Sequence, residues 1–188
     1  MRTEYSNWRK LDNAALAFPL VTGENDTRVF RFYCQLKEEV DSDILQQALD
    51  RTMEKYPLFQ AVLRKGLFWF YLEHSHIRAL VKPETEPPCS RLYIPDKKSL
   101  LFQVSYYKER INFEVFHALT DGTGAMHFLQ ELVQNYLILA HPKENFPEIG
   151  RDKKTGRGNI EEDSFSQYYS SDIPKNREKK KAAVKLKG

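Results

Sequence analysis

Cysteine is nearly absent: only Cys34 and Cys89 occur in 188 residues, far apart and in no metal-ligand spacing. Cys34 lies in the apolar run 29–36, where a free thiol behaves as a small hydrophobe. Both read as structural free thiols rather than a bridge or a redox pair. The eight glycines form no Gly-rich phosphate loop, and no nucleophile elbow is present. No apolar run approaches the ~20 residues that span a bilayer. The charged start Met1-Arg2-Thr3-Glu4 is not a secretory signal, so the expected location is the cytoplasm.

What is present is an ordinary globular balance, 41% hydrophobic and 13% aromatic, in a length that suits one domain with a real core. The net charge of +3 is unevenly placed. Residues 151–188 carry eleven Lys/Arg against six Asp/Glu, whereas residues 1–150 carry eighteen against twenty. The basicity therefore belongs to the tail, chiefly Lys175-Asn176-Arg177-Glu178-Lys179-Lys180-Lys181. A tract like that is ordinarily a solvated segment. It has no interleaved aromatic platform, so no nucleic-acid partner is expected.

Along the chain, residues 8–19 read as a short helical or irregular lead-in ended by Pro19. Residues 28–36 are aromatic and β-branched and read as a strand. Asp41-Ser42-Asp43 supplies N-cap chemistry for a helix with Ile44, Leu45, Ala48, Leu49, Thr52 and Met53 on its apolar face, stopping near Tyr56-Pro57. Residues 59–63 and 67–72 read as a hairpin about Lys65-Gly66, and residues 82–89 as a connecting loop. Residues 100–107 and 111–116 are two more strands. An amphipathic helix follows from Gly122 to Ala140, its face traced by Ala125, Phe128, Leu129, Leu132, Val133, Tyr136 and Leu137. Residues 143–188 are polar and read as a linker or crossover, which leaves 1–142 as the folded unit. The mixture without strict alternation gives an α+β class with a largely antiparallel sheet packed against helices.

The segment that can carry chemistry is His117-Ala118-Leu119-Thr120-Asp121-Gly122, at the turn between a strand and a helix. An imidazole there has an anchored backbone and a ring free to face a cavity, and it changes protonation near neutral pH, as a general base must. Asp121 suits an ion pair or a helix cap, and Gly122 and Gly124 permit positive φ or a close approach. Taken bare, the same pattern is also an ordinary structural turn.

Its surroundings point further. Tyr56-Pro57-Leu58-Phe59-Gln60-Ala61-Val62-Leu63-Arg64 lies upstream, and Trp8-Arg9-Lys10-Leu11-Asp12-Asn13-Ala14-Ala15 opens the folded unit. With the His-x-x-x-Asp-Gly hexapeptide these segments resemble, in order and spacing, acyltransferases of the chloramphenicol-acetyltransferase-like superfamily. That superfamily includes peptide-synthetase condensation domains and alcohol acetyltransferases. The resemblance covers most of residues 5–140 and, more loosely, residues 163–169. It implies a two-layer half-domain of the CoA-dependent acyltransferase fold. His117 would be the general base that deprotonates an alcohol or amine attacking an acyl thioester on coenzyme A or a carrier phosphopantetheine. Asp121 would pair with Arg64 to hold the loop, and Gly122 would leave room in the substrate tunnel. Acyl-CoA would be a co-substrate, with no permanently bound cofactor and no metal. Phe116 stands where condensation domains usually have a first His, which favours the alcohol-acetyltransferase branch and an acetyl donor. Nothing in the sequence matches the family's second half, so that half is an implied partner, and the isolated chain is expected to be inactive and to self-associate through apolar faces at residues 67–72 and 111–116. The alternative is a non-catalytic interaction module on the same half-fold.

Other candidates read blandly. His74 and His76 could face one side of a strand end, but no third ligand completes a metal set. His127 falls on the polar side of the last helix, and His141 suits a helix C-terminus as a cation. Trp69 reads as core or as part of the interface between halves.

Overall fold

The computed structural model describes residues 8–11, 15–23, 26–67, 69–95 and 97–146. The polar tract from residue 147 on, including the basic run and residues 163–169, lies outside the described residues, as do Asp12 and Phe68.

Two sheets organise the chain. Strands β1 (Trp8–Lys10), β3 (Ala61–Lys65) and β4 (Phe70–His74) form an antiparallel sheet in the order β1-β4-β3. Strands β2 (Val29–Gln35), β5 (Val81–Pro83), β6 (Phe102–Tyr107) and β7 (Arg110–Phe116) form the second, in the order β2-β7-β6-β5. Only β5 runs parallel to its neighbour, so the sheets are largely antiparallel. Among the described residues the helices are α1 (Ala17–Val21), α2 (Ser42–Lys55) and α3 (Gly122–Ala140), with one 3-10 turn at Pro57–Phe59. The α+β class with sheets packed against helices is the observed one.

Local chemistry explains the helix limits. Asp41 caps α2, its Oδ1 accepting from the amides of Asp43 and Ile44 at 2.9 and 3.0 Å. Tyr136 of α3 steadies the same turn, since the Asp41 amide donates to its hydroxyl at 2.9 Å. His141 ends α3, and its Nε2 meets Glu38 at 2.5 Å.

Leu45, Ala48 and Leu49 of α2 and Ala125, Phe128, Leu132 and Tyr136 of α3 bury their apolar faces on the second sheet. Phe128 stacks between Phe59 (4.5 Å) and Phe113 (4.6 Å), which locks the 3-10 turn, the sheet and α3 into one core. A second cluster joins Leu63 and Phe70 of the small sheet to Leu101, Phe116 and Tyr93 at the end of the large one. That cluster sits under the turn that carries His117.

Several expectations are corrected here. The lead-in is a strand, β1, followed by the short α1, and Pro19 sits within the first turn of α1, where its missing N–H has no intrahelical acceptor to lose. Residues 82–89 are not all loop, because β5 extends the sheet edge. Residues 111–116 expose no apolar face: β7 is central, buried from Ile111 to Phe116, with helices on one side and a polar network on the other. Of the two alternatives for Trp69, 54% exposure excludes the core and leaves the interface, and Leu67 beside it is 86% exposed. Among the described residues no helix is long and apolar enough to cross a membrane.

Candidate functional site

Strand β7 ends at Phe116, and the next three residues turn before α3 begins. The turn is pinned by backbone: the amides of Phe116 and Leu119 donate to Leu101 (2.8 Å) and Phe116 (2.9 Å), and the His117 amide donates to the carbonyl of Arg28 at 2.9 Å. The His117 ring packs against two phenyl rings. Phe18 of α1 stacks on it at 4.5 Å and 15°, and Phe30 of β2 leans on it at 4.8 Å and 54°. The ring is half-buried, and among the described residues neither of its nitrogens has a hydrogen-bond partner. The aromatic contacts restrain the plane of the imidazole, and ring nitrogens without a partner among the described residues are what a general base requires.

Asp121 and Arg64 do not meet, which corrects the expected ion pair. Asp121 is exposed and is the N-cap of α3, its Oδ1 accepting from the Gly124 amide at 2.8 Å. Arg64 lies on the small sheet and its Nε donates to Glu73 of β4 at 2.7 Å, because the register sets Val62 opposite Glu73 and Arg64 two residues further along β3, on the same face as a diagonal neighbour. For Gly122 and Gly124 the sequence leaves two alternatives open, positive φ or a close approach. Neither glycine has positive φ. A Cβ at Gly122 would only touch Phe32 at 4.0 Å, whereas one at Gly124 would collide with the Thr120 hydroxyl. The close approach belongs to Gly124.

Two features escaped the sequence. Arg28, whose carbonyl holds His117, has φ 53°, a left-handed conformation that costs a side-chain-bearing residue roughly 1–2 kcal/mol. An ion pair to Asp26 at 2.8 Å accompanies it, and its buried Nε has no partner among the described residues. The second feature is a buried polar network behind the sheet. Glu114, fully buried, accepts from Arg31 Nε (2.9 Å), the Cys89 amide (2.6 Å) and Gln103. Glu84 bridges Arg31 at 2.5 Å and Arg110 at 2.6 Å. Partial burial pushes the Glu84 carboxyl up, but hydrogen bonds and charge from Arg31 and Arg110 outweigh it and hold it below the usual carboxylate range. The network clamps segment 84–89 across β2, β7 and β6. A signal existed in the alternation Ile111-Asn112-Phe113-Glu114-Val115, which puts polar groups on one face of a central strand.

The remaining candidates are dispersed. The His74 and His76 rings meet edge to face at 5.3 Å, and no group of three metal-ligating residues exists among the described residues. His127 is half-buried on α3. Cys34 and Cys89 are free, and burial pushes both thiols up.

No family model matches the sequence, and no curated protein matches it. Solved structures do match it in shape. The starter condensation domain of the rhizomide synthetase RzmA superposes with a TM-score of 0.60 at 12% identity, over 83% of this chain and 44% of that one. The tallysomycin biosynthesis protein TlmII gives 0.55 at 14%, over 78% and 44%. Polyketide synthase associated protein 5 from Mycobacterium tuberculosis gives 0.54 at 18%, over 76% and 36%. The fold is the condensation-domain half-fold. This chain spans less than half the length of each of these structures. A variant of the RzmA domain is solved with C8-CoA and Leu-SNAC. In the half-fold of this chain, His117 stands at the β7–α3 junction, beside Phe18 and Phe30 and above the Phe116–Tyr93 stack at 5.6 Å.

Proposed function

We propose that this half-fold is the first half of an acyltransferase that moves an acyl group, in the alcohol-acetyltransferase manner an acetyl group, from a coenzyme A or phosphopantetheine thioester to an alcohol or amine. The observation that carries this reading is the imidazole of His117 at a strand-to-helix turn, packed against Phe18 and Phe30 with its nitrogens unpaired among the described residues. In the reaction, a neutral ring nitrogen takes the proton of the acceptor as its oxygen or nitrogen bonds to the thioester carbonyl carbon. The tetrahedral intermediate then expels the thiolate, and the imidazolium returns the proton to that sulfur. Phe18 and Phe30 hold the ring plane, and the Arg28 carbonyl holds its backbone. Asp121 acts only through the start of α3, so it is a positioning residue. The likeness to condensation domains, one of them solved with C8-CoA and Leu-SNAC, supports a thioester donor and leaves the acceptor to experiment. The tunnel and much of the donor site would come from a second half, and the reaction would run in the cytoplasm.

A second reading, a non-catalytic interaction module, is favoured by one observation: Leu67 and Trp69 present large apolar side chains at the surface, 86% and 54% exposed. The test is the His117→Ala protein assembled with its second half, assayed for thiol release from acetyl-CoA with a panel of alcohols and amines. Turnover should fall by about 100-fold or more with an unchanged circular dichroism spectrum. Wild-type turnover in that variant would remove the base, and no turnover in the assembled wild type would leave the interaction module.

A further inference from the structure

Away from His117, a groove of about 390 Å³ opens between segment 77–82 and segment 91–100. Among the described residues its lining holds five cations, Arg78, Lys82, Arg91, Lys97 and Lys98, and no carboxylate; Asp96 lies outside the described residues. This concentration is not a reflection of composition, because acids outnumber bases, twenty to eighteen, in residues 1–150. Arg78 is engaged by Asp50 at 2.7 Å, but no ion pair engages Lys82, Lys97 or Lys98 among the described residues. Leu100, Phe102 and Val104 give the groove an apolar floor.

Both walls are tied down before any ligand arrives. Gln46 of α2 donates to the Ala79 carbonyl at 3.1 Å and accepts from the Val81 amide at 2.9 Å. Opposite, Arg91 Nε donates to the Tyr93 carbonyl and the Ser99 hydroxyl to the Leu92 carbonyl, each at 2.9 Å. Lys97 also lines a second depression of about 120 Å³ with Lys65 and with Arg64, the last already paired with Glu73. Like charges converging on a fixed concavity raise the local concentration of a counter-ion of opposite sign.

We propose that this groove binds a small organic phosphate, with the phosphate oxygens held by Lys82, Lys97 and Lys98 and the carbon body laid on Leu100 and Phe102. An acidic protein surface would engage the same lysines without needing a concavity. The volume is that of a small-ligand site. The phosphates can belong to a coenzyme A donor or to a free phosphorylated metabolite, and the two share this chemistry.

The experiment is calorimetric titration of the full chain with inorganic pyrophosphate and with adenosine 3′,5′-bisphosphate. Saturable binding that weakens with salt is expected. The triple variant Lys82→Gln, Lys97→Gln, Lys98→Gln should weaken it roughly ten-fold or more. The triple variant Lys37→Gln, Lys108→Gln, Lys143→Gln removes the same charge elsewhere and should leave it unchanged. Displacement by coenzyme A assigns the phosphates to the donor, and displacement by the bisphosphate without coenzyme A assigns a free metabolite; both support the groove. Equal losses in the two triple variants, no saturation by either probe, or capture of an acidic protein alone would overturn it. His117→Ala protein should bind both probes as wild type does, so the groove stands or falls apart from the acyl-transfer reading.

Discussion

Removing the Asp121 carboxylate separates two accounts of how the His117 turn is held. As the structure has it, Asp121→Ala deletes one N-cap hydrogen bond, the 2.8 Å contact to the Gly124 amide, on an exposed side chain. Loss of such a cap costs about 1 kcal/mol, and loss of a negative charge at a helix N-terminus adds about 0.3–1 kcal/mol. The expected total is about 1–2 kcal/mol, and Asp121→Asn, which keeps the acceptor oxygen, should lose only the smaller part. A buried Asp121–Arg64 pair would instead cost about 3–5 kcal/mol on truncation. Urea unfolding of the full chain distinguishes these ranges, and a double-mutant cycle sharpens the contrast. Asp121 and Arg64 should show no coupling beyond ~0.5 kcal/mol, whereas Arg64 and Glu73 should couple by about 0.2–1 kcal/mol as a partly exposed pair. A loss above 3 kcal/mol for Asp121→Ala, or strong Asp121–Arg64 coupling, would refute the cap assignment.

Glu114→Gln should destabilise the chain by about 3 kcal/mol or more, because Arg31 is left with a single carboxylate partner in a buried network; a midpoint unchanged in urea would sink that claim. Because the Glu84 carboxyl titrates below its ordinary range, the stability it contributes is fully present above the unfolded-state value of about 4.5 and is lost as pH falls through the lower folded-state value. Urea midpoints should therefore hold steady down to about pH 5 and drop below it, with a shallower drop in Glu84→Gln protein. Gly124→Ala should fail to deliver the ~1 kcal/mol that a helical Gly→Ala exchange ordinarily gives, because the new methyl meets the Thr120 hydroxyl. Combined with Thr120→Ala, the gain should return, as thermal unfolding would show.

Several links in this fold are local, and local chemistry is written in sequence. The period of α3 and the cap at Asp41 needed only side-chain spacing and a carboxylate before a helix, and both helices start where those signals lie. The tight turn between β6 and β7 is equally local, with Lys108 taking φ 51° to close it. The edge strand β5 was hidden because a three-residue strand rich in Lys and Pro carries no periodicity of its own; it exists because β6 offers it a free edge.

The sequence by itself determined the α+β class, the two long helices and the place of His117 at a strand-to-helix turn, since each follows from patterns spanning fewer than about twenty residues. Only the tertiary structure decided what touches what across long separations. It set Phe18 and Phe30 against the His117 ring, sent Arg64 to Glu73 rather than Asp121, buried Glu114 against Arg31, and gathered Lys82 with Lys97 and Lys98 around one groove. Those contacts depend on strand order and register, which are set by the whole core at once and by no short stretch of chain.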